Sequence, residues 1–139
     1  MKRFSPLILN LIIIFTMSCE GSEFLVNCSD CTTSEPKEAT IECKIDTDLK
    51  YGTLVQIWEG KLEDNIFIDS ARIFSSSTFE KNVHLNRYYT ITATYIIDNK
   101  TYVAVNSVCP KVKRSKSKCD ELCYYVYGNI ANLRLKYSK

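Results

Sequence analysis

The chain is poor in the residues that most catalytic sites need. It holds one histidine, His84, in 139 residues, so any imidazole base, triad or His-rich metal site must use it. His84 lies between Val83 and Leu85 in an alternating run, which predicts a solvent-facing position on a strand. Only four glycines occur, and none forms a phosphate-binding loop. Proline is scarce and no internal repeat is present, which excludes a repeat array. No apolar run reaches the roughly 20 residues that a spanning helix needs. Nothing here composes a catalytic, metal or cofactor site, and the expected protein is not an enzyme.

Charge of one sign is also missing. The chain has 18 basic and 16 acidic residues. Lys2 and Arg3 fall in the first 18 residues, which hold no acid, so the rest is balanced. A balanced chain gives no long-range attraction to a polyanion, and no nucleic-acid partner is expected.

Cysteine is what the sequence does have: seven, at Cys19, Cys28, Cys31, Cys43, Cys109, Cys119 and Cys123. Cys19 closes the apolar run Pro6 to Met17, behind basic Lys2 and Arg3 and just after Ser18. This segment resembles a bacterial lipoprotein signal peptide. The resemblance implies cleavage before Cys19, acylation of its thiol, and a membrane partner reached through that lipid. Thr16 and Ser18 are also small enough for ordinary signal peptidase, which would leave Cys19 a free thiol. The lipid reading makes the other six cysteines an even set. Six cysteines in an exported domain fit three disulfides.

Residues 1–18 are thus expected to be the signal peptide, 19–38 a lipidated polar tether and 39–139 one domain. Within the domain, short β-type runs recur. Ile41, Cys43 and Ile45 alternate with polar residues; Thr53 to Glu59, Ile66 to Phe74 and Phe79 to Leu85 come after turn signals. Tyr88 to Ile97 and Lys100 to Ser107 flank Asp98-Asn99, a pair suited to a tight hairpin turn. Asn129 to Tyr137 is the last run, with Ala131, Leu133 and Leu135 on one face. About seven short strands with no helix pattern predict an all-β, single antiparallel β-sandwich, cross-linked by disulfides.

Thr78 to Tyr95 resembles the strand, turn and strand of prealbumin-like and fibronectin-like sandwiches, and the order Cys43, Trp58, Cys109 is similar to that of immunoglobulin domains. There a tryptophan packs on an inter-sheet disulfide, so the resemblance implies a Cys43 to Cys109 bridge with Trp58 as core. Ser107 stands where those domains carry tyrosine. Cys28 and Cys31 sit at one end of the domain, Cys119 and Cys123 at the other; pairing between the clusters would pin the tether to the loop before the last strand. A redox CxxC would need a helix N-terminus, and none is evident. Four thiolates could hold zinc, but an oxidising compartment favours disulfides.

Lys111, Lys113, Arg114, Lys116 and Lys118 form a basic stretch. It reads either as an anionic-ligand loop or as a solvated edge that discourages aggregation. Tyr88, Tyr89, Tyr95, Tyr102, Tyr124, Tyr125 and Tyr127 could present an aromatic surface or simply build strands. The whole chain resembles small lipoproteins of Gram-negative bacteria with an immunoglobulin-like or prealbumin-like sandwich. That resemblance implies an outer-membrane, cell-surface, non-catalytic binding or structural module for a protein or glycan. The alternative is a periplasm-facing assembly subunit that pairs through strand edges.

Replacing Cys19 with Ala is expected to abolish lipid labelling and move the protein out of the membrane fraction. Unchanged labelling and partitioning would contradict the lipid reading.

Overall fold

The computed structural model describes residues 27–115 and 122–136. Among these the chain is nine β-strands with short 3-10 turns at Cys28–Asp30 and Leu62–Asp64. The strands are β1 (Glu38–Lys44), β2 (Thr53–Glu59), β3 (Ile66–Ile73), β4 (Thr78–His84), β5 (Tyr89–Ile97), β6 (Lys100–Val108), β7 (Lys111–Ser115), β8 (Cys123–Tyr127) and β9 (Ile130–Asn132). A four-stranded sheet runs β3-β2-β5-β6 and a three-stranded sheet β4-β1-β9, while β7 and β8 form a separate hairpin. The all-β sandwich expected from sequence is the architecture found.

Alternation in sequence sets which face is buried. Tyr89, Ile91, Ala93 and Tyr95 of β5 all point inward, with Val55 and Ile57 of β2 beside them. They meet Ile41, Cys43, Ile45, Val83, Ala131 and Leu133 from the other sheet, all buried. Asp98 and Asn99 adopt left-handed φ of 50° and 58°, as a two-residue hairpin turn between β5 and β6 requires. At the shared edge of the two sheets, Lys81 of β4 donates to Asp69 of β3 at 2.6 Å. That ammonium, with the Ser70 amide, holds the Asp69 carboxyl below the usual carboxylate range.

The C-terminal segment differs from expectation. Asn129 to Tyr137 was expected as a full strand; only Ile130–Asn132 is one, and it pairs parallel to β1. Its register, Cys43 opposite Ala131, carries Ala131 and then Leu133 into the core. Beyond β9 the ladder to β1 continues for one bond, from the Leu133 amide to the Lys44 carbonyl at 2.8 Å, and side chains then take over. The buried Tyr95 hydroxyl donates to the Leu133 carbonyl at 2.9 Å and accepts from the Asp46 amide at 3.2 Å. Asp46 in turn accepts from the Leu135 amide at 2.7 Å. The Leu133 carbonyl and the Leu135 amide are thus satisfied by a tyrosine and a carboxylate where the ladder ends.

Topology gives the sandwich two distinct ends. The turns at 45–52, 75–77 and 98–99 gather at one, together with Leu133 to Lys136, joined by Tyr95 and by the Ile45 amide on the Ser77 carbonyl at 3.0 Å. The other end holds the entry into β1, the turns at 60–65 and 85–88, and the start of the β7–β8 hairpin. Here Gly60 donates to the Tyr88 carbonyl at 2.7 Å and Asn86 to the Pro110 carbonyl at 2.8 Å.

Tyr95→Phe removes both hydroxyl bonds and is expected to destabilise the domain by about 1–3 kcal/mol, because the buried Leu133 carbonyl loses its donor. Tyr102→Phe, at the exposed position opposite Tyr95 on β6, is expected to change stability by less than about 0.5 kcal/mol. Urea unfolding of both variants checks this; equal effects would contradict it.

Candidate binding surfaces

The first candidate is the hairpin. β7 and β8 are antiparallel, with Lys111 opposite Tyr127, Lys113 opposite Tyr125 and Ser115 opposite Cys123. Those pairs share one face; Val112 with Val126 and Arg114 with Tyr124 share the other. Lys111, Lys113, Arg114 and Tyr127 are exposed, and the Tyr125 and Tyr127 rings lie 6.4 Å apart. Two tyrosines thus stand in the same face as two lysines. At the exit of β8, Gly128 has φ of +69°, and a Cβ there would meet the Cys109 carbonyl at 2.9 Å, so the close turn back under β6 requires glycine. Lys116 and Lys118 lie outside the described residues.

The cysteines explain how the hairpin is placed. Cys31 and Cys123 form a disulfide with Cα atoms 5.0 Å apart. Beside it, the Thr32 and Tyr124 backbones exchange hydrogen bonds of 3.0 and 2.9 Å. The tether segment is therefore a third rung beside β8, a role its polar composition did not signal. Cys28 is disulfide-bonded too. Cys19 and Cys119 lie outside the described residues.

The Cys43 to Cys109 bridge is corrected: both are free thiols. Cys43 sits mid-strand in β1, whereas Cys109 comes after β6, beyond the Val108–Tyr89 pair at the hairpin end. Cys43 points into the core while Cys109 lies only half-covered at the hairpin end, so the two thiols are not brought together. Trp58 is corrected with it. It stands on the outward face of β2, half-buried, with its ring edge-on to Phe67 at 5.1 Å. Its buried indole Nε1 has no hydrogen-bond partner among the described residues.

That outward face of the four-stranded sheet is the second candidate. Trp58 stands in a row with Phe67 and Thr90; Thr92 has Gln56 on one side and Val105 on the other; Thr94 has Leu54 and Val103. Val103 and Val105 are each 55% exposed, and Phe67 50%. At its edge, β3 has a bulge: Ile57 faces Asp69 but Trp58 faces Phe67, so Ile68 is the extra residue. Ile66, Phe67 and Ile68 are consecutive, apolar and exposed. The signal in sequence was their run without alternation, which a half-buried strand does not show. Among the described residues, β3 pairs only with β2.

The third candidate is a cleft of about 1050 Å³ at the end away from the hairpin, lined by Asp46, Asp48, Lys50, Tyr51, Asp98 and Asn99 among others. Two of its acids are engaged locally, Asp48 accepting from the Lys50 and Tyr51 amides at 2.9 and 3.0 Å and Asp46 from the Leu135 amide. Among the described residues no cluster of His, Cys, Asp and Glu could hold a metal, and no helix is long and apolar enough to cross a membrane. His84 lies exposed on the outer face of β4, its Nδ1 3.9 Å from Glu38 Oε1. Of the tyrosines, Tyr89 and Tyr95 are core, while Tyr88, Tyr102 and Tyr127 are exposed. Comparison with family models, with curated proteins and with solved structures finds no match.

Burial, reinforced by the neighbouring Glu42 carboxylate, pushes the Cys43 thiol up to about 12. An unfolded thiol titrates near 8.5, so the buried neutral thiol contributes stability fully present below about pH 8 and lost as pH rises toward 12. Cys43→Val is therefore expected to lose less stability than the parent between about pH 8 and pH 10.5. Parallel slopes of unfolding free energy against pH would contradict this.

Proposed function

We propose that this protein is a lipid-anchored, non-catalytic binding module, held through Cys19 in the outer membrane of a Gram-negative cell and displayed at its surface. It engages a protein partner through the outer face and free β3 edge of the four-stranded sheet. The domain is read as immunoglobulin-like, on the division of its strands between β4-β1-β9 and β3-β2-β5-β6.

The observation that carries this reading is the exposed row Ile66, Phe67 and Ile68 on an edge strand. An edge strand offers unpaired N–H and C=O groups, and soluble proteins usually blunt such edges with lysine, proline or a covering loop. Here no charged residue lies within Ile66 to Ile68, and aromatic Phe67 extends the surface to Trp58. A partner strand laid along β3 would gain ladder bonds, while its side chains met the Trp58 and Phe67 rings. A glycan would suit the face less well, because Thr90 and Thr92 are buried beneath their neighbours and withdraw their hydroxyls. The same edge supports a second reading, a periplasm-facing assembly subunit, which differs only in the side of the membrane served.

A photo-crosslinking amino acid at position 68, in the producing cell, is expected to give a discrete protein adduct. The same probe at position 80 or 82, on the polar outer face of β4, is expected to give none. Equal adducts from both faces, or none from position 68, would contradict the reading. Surface protease accessibility of the intact cell separates display from periplasmic orientation.

A further inference from the structure

We propose that the partner of the β3 edge is a second copy of this chain, with β3 pairing antiparallel to β3 about a two-fold axis at Ser70 and joining two four-stranded sheets into one of eight strands. The proposal rests on the edge-strand reading of the function and names its partner.

A two-fold contact uses the same patch twice, so its strand must be complementary to itself. β3 has that order. Exposed Ile66, Phe67 and Ile68 stand at one end and exposed Phe74 just past the other, with polar residues between. The strand carries one acid, Asp69, and one base, Arg72, so two copies meet without net charge. Ser70 and Arg72 are exposed, while Asp69, Ala71 and Ile73 are half-buried.

Charge then selects one alignment. Two antiparallel strands related by a two-fold axis keep the same face outward, so the axis passes beside a residue that lies opposite itself. An axis at Asp69 or at Arg72 sets like charges directly opposite, which is repulsive. An axis at Ala71 sets Asp69 against apolar Ile73, and axes nearer either end pair fewer residues. The axis at Ser70 avoids all of these. It places hydroxyl against hydroxyl and sets Asp69 opposite the small Ala71 of the second copy. Ile66 to Ile68 then run along Arg72, Ile73 and Phe74 of the second copy, with the bulge at Ile68 taking up one residue of offset. Asp69 enters this joint already paired, since Lys81 of β4 donates to it at 2.6 Å. The unpaired N–H and C=O groups of one edge meet those of the other, and apolar side chains close over both ends.

The test uses the full chain in the producing cell. Ser70→Cys puts a thiol opposite its own copy, with Cβ atoms about 5 Å apart, and is expected to give a disulfide-linked band at twice the chain mass. Ile68→Cys changes another exposed residue, but in this alignment it lies about 13 Å from its own copy. It is expected to give at least about tenfold less of that band. Sedimentation of the purified full chain in detergent is expected to show a dimer that Ile68→Lys, beside Arg72, weakens at least about threefold more than Ile68→Glu does. Equal linking at positions 68 and 70, linking at neither, a band as strong in the parent chain, or a monomer in sedimentation would each overturn the proposal. Photo-crosslinking from position 68, with tagged and untagged copies in one cell, separates self-pairing from the edge reading beneath it. An adduct of two copies supports both, an adduct with a different protein alone overturns self-pairing only, and no adduct overturns both.

Discussion

The covalent tie between Cys31 and Cys123 is the constraint on which the arrangement depends. It closes a loop with a sequence separation of 92, inside which lie strands β1 to β7. Closing so long a loop removes chain entropy from the unfolded state equivalent to about 4–5 kcal/mol in the simplest model. Its geometric effect matters as much. A polar entry segment that would otherwise be unordered becomes a neighbour of β8, and the hairpin is held where the chain enters the domain.

From that fixed end the rest is closed by packing and by one buried hydroxyl. β1 is paired on both sides, antiparallel to β4 and parallel to β9, so its inward residues Ile41, Cys43 and Ile45 are fully enclosed. β9 is only three residues long, and its ladder to β1 is lengthened by the Glu42 amide on the Asn129 carbonyl and the Leu133 amide on the Lys44 carbonyl. Tyr95 adds a second hold: its ring fills the core between the sheets and its hydroxyl bonds the chain on either side. Core packing and C-terminal closure are thus one event. The polar side chains that achieve it are engaged at the far end, near the acidic cleft.

Much of this was legible in the sequence because strands with one buried face write their burial as alternation. β2 spans Thr53–Glu59 as read, and β5 splits into the buried set Tyr89, Ile91, Ala93 and Tyr95 and the outward set Thr90, Thr92 and Thr94. Pairings between distant parts could not be read. Nothing local in Ile130–Asn132 tells parallel from antiparallel pairing, and nothing in Thr32 announces a bond to Tyr124. The Cys43 to Cys109 bridge failed for a related reason: order along the chain is shared by sandwiches whose strands stop at different levels. Trp58 was misplaced because a large aromatic reads as core on hydrophobicity alone, whereas register puts it on the outward row with Phe67. The exposed β3 edge was visible only as a run that did not alternate.

The cysteines also separate the account into parts that one experiment reads together. Two thiols are sequestered or half-covered within the domain, a cross-link fastens the entry segment to the hairpin, and the proposed lipid takes Cys19. Mass mapping of the mature protein, digested without reduction after alkylation in denaturant, reports every one of these states. The account predicts a Cys31–Cys123 linked peptide, alkylated Cys43 and Cys109, no free thiol at Cys28, and acyl mass on an N-terminal Cys19. A Cys43–Cys109 linked peptide, or alkylated Cys31 and Cys123, would contradict it.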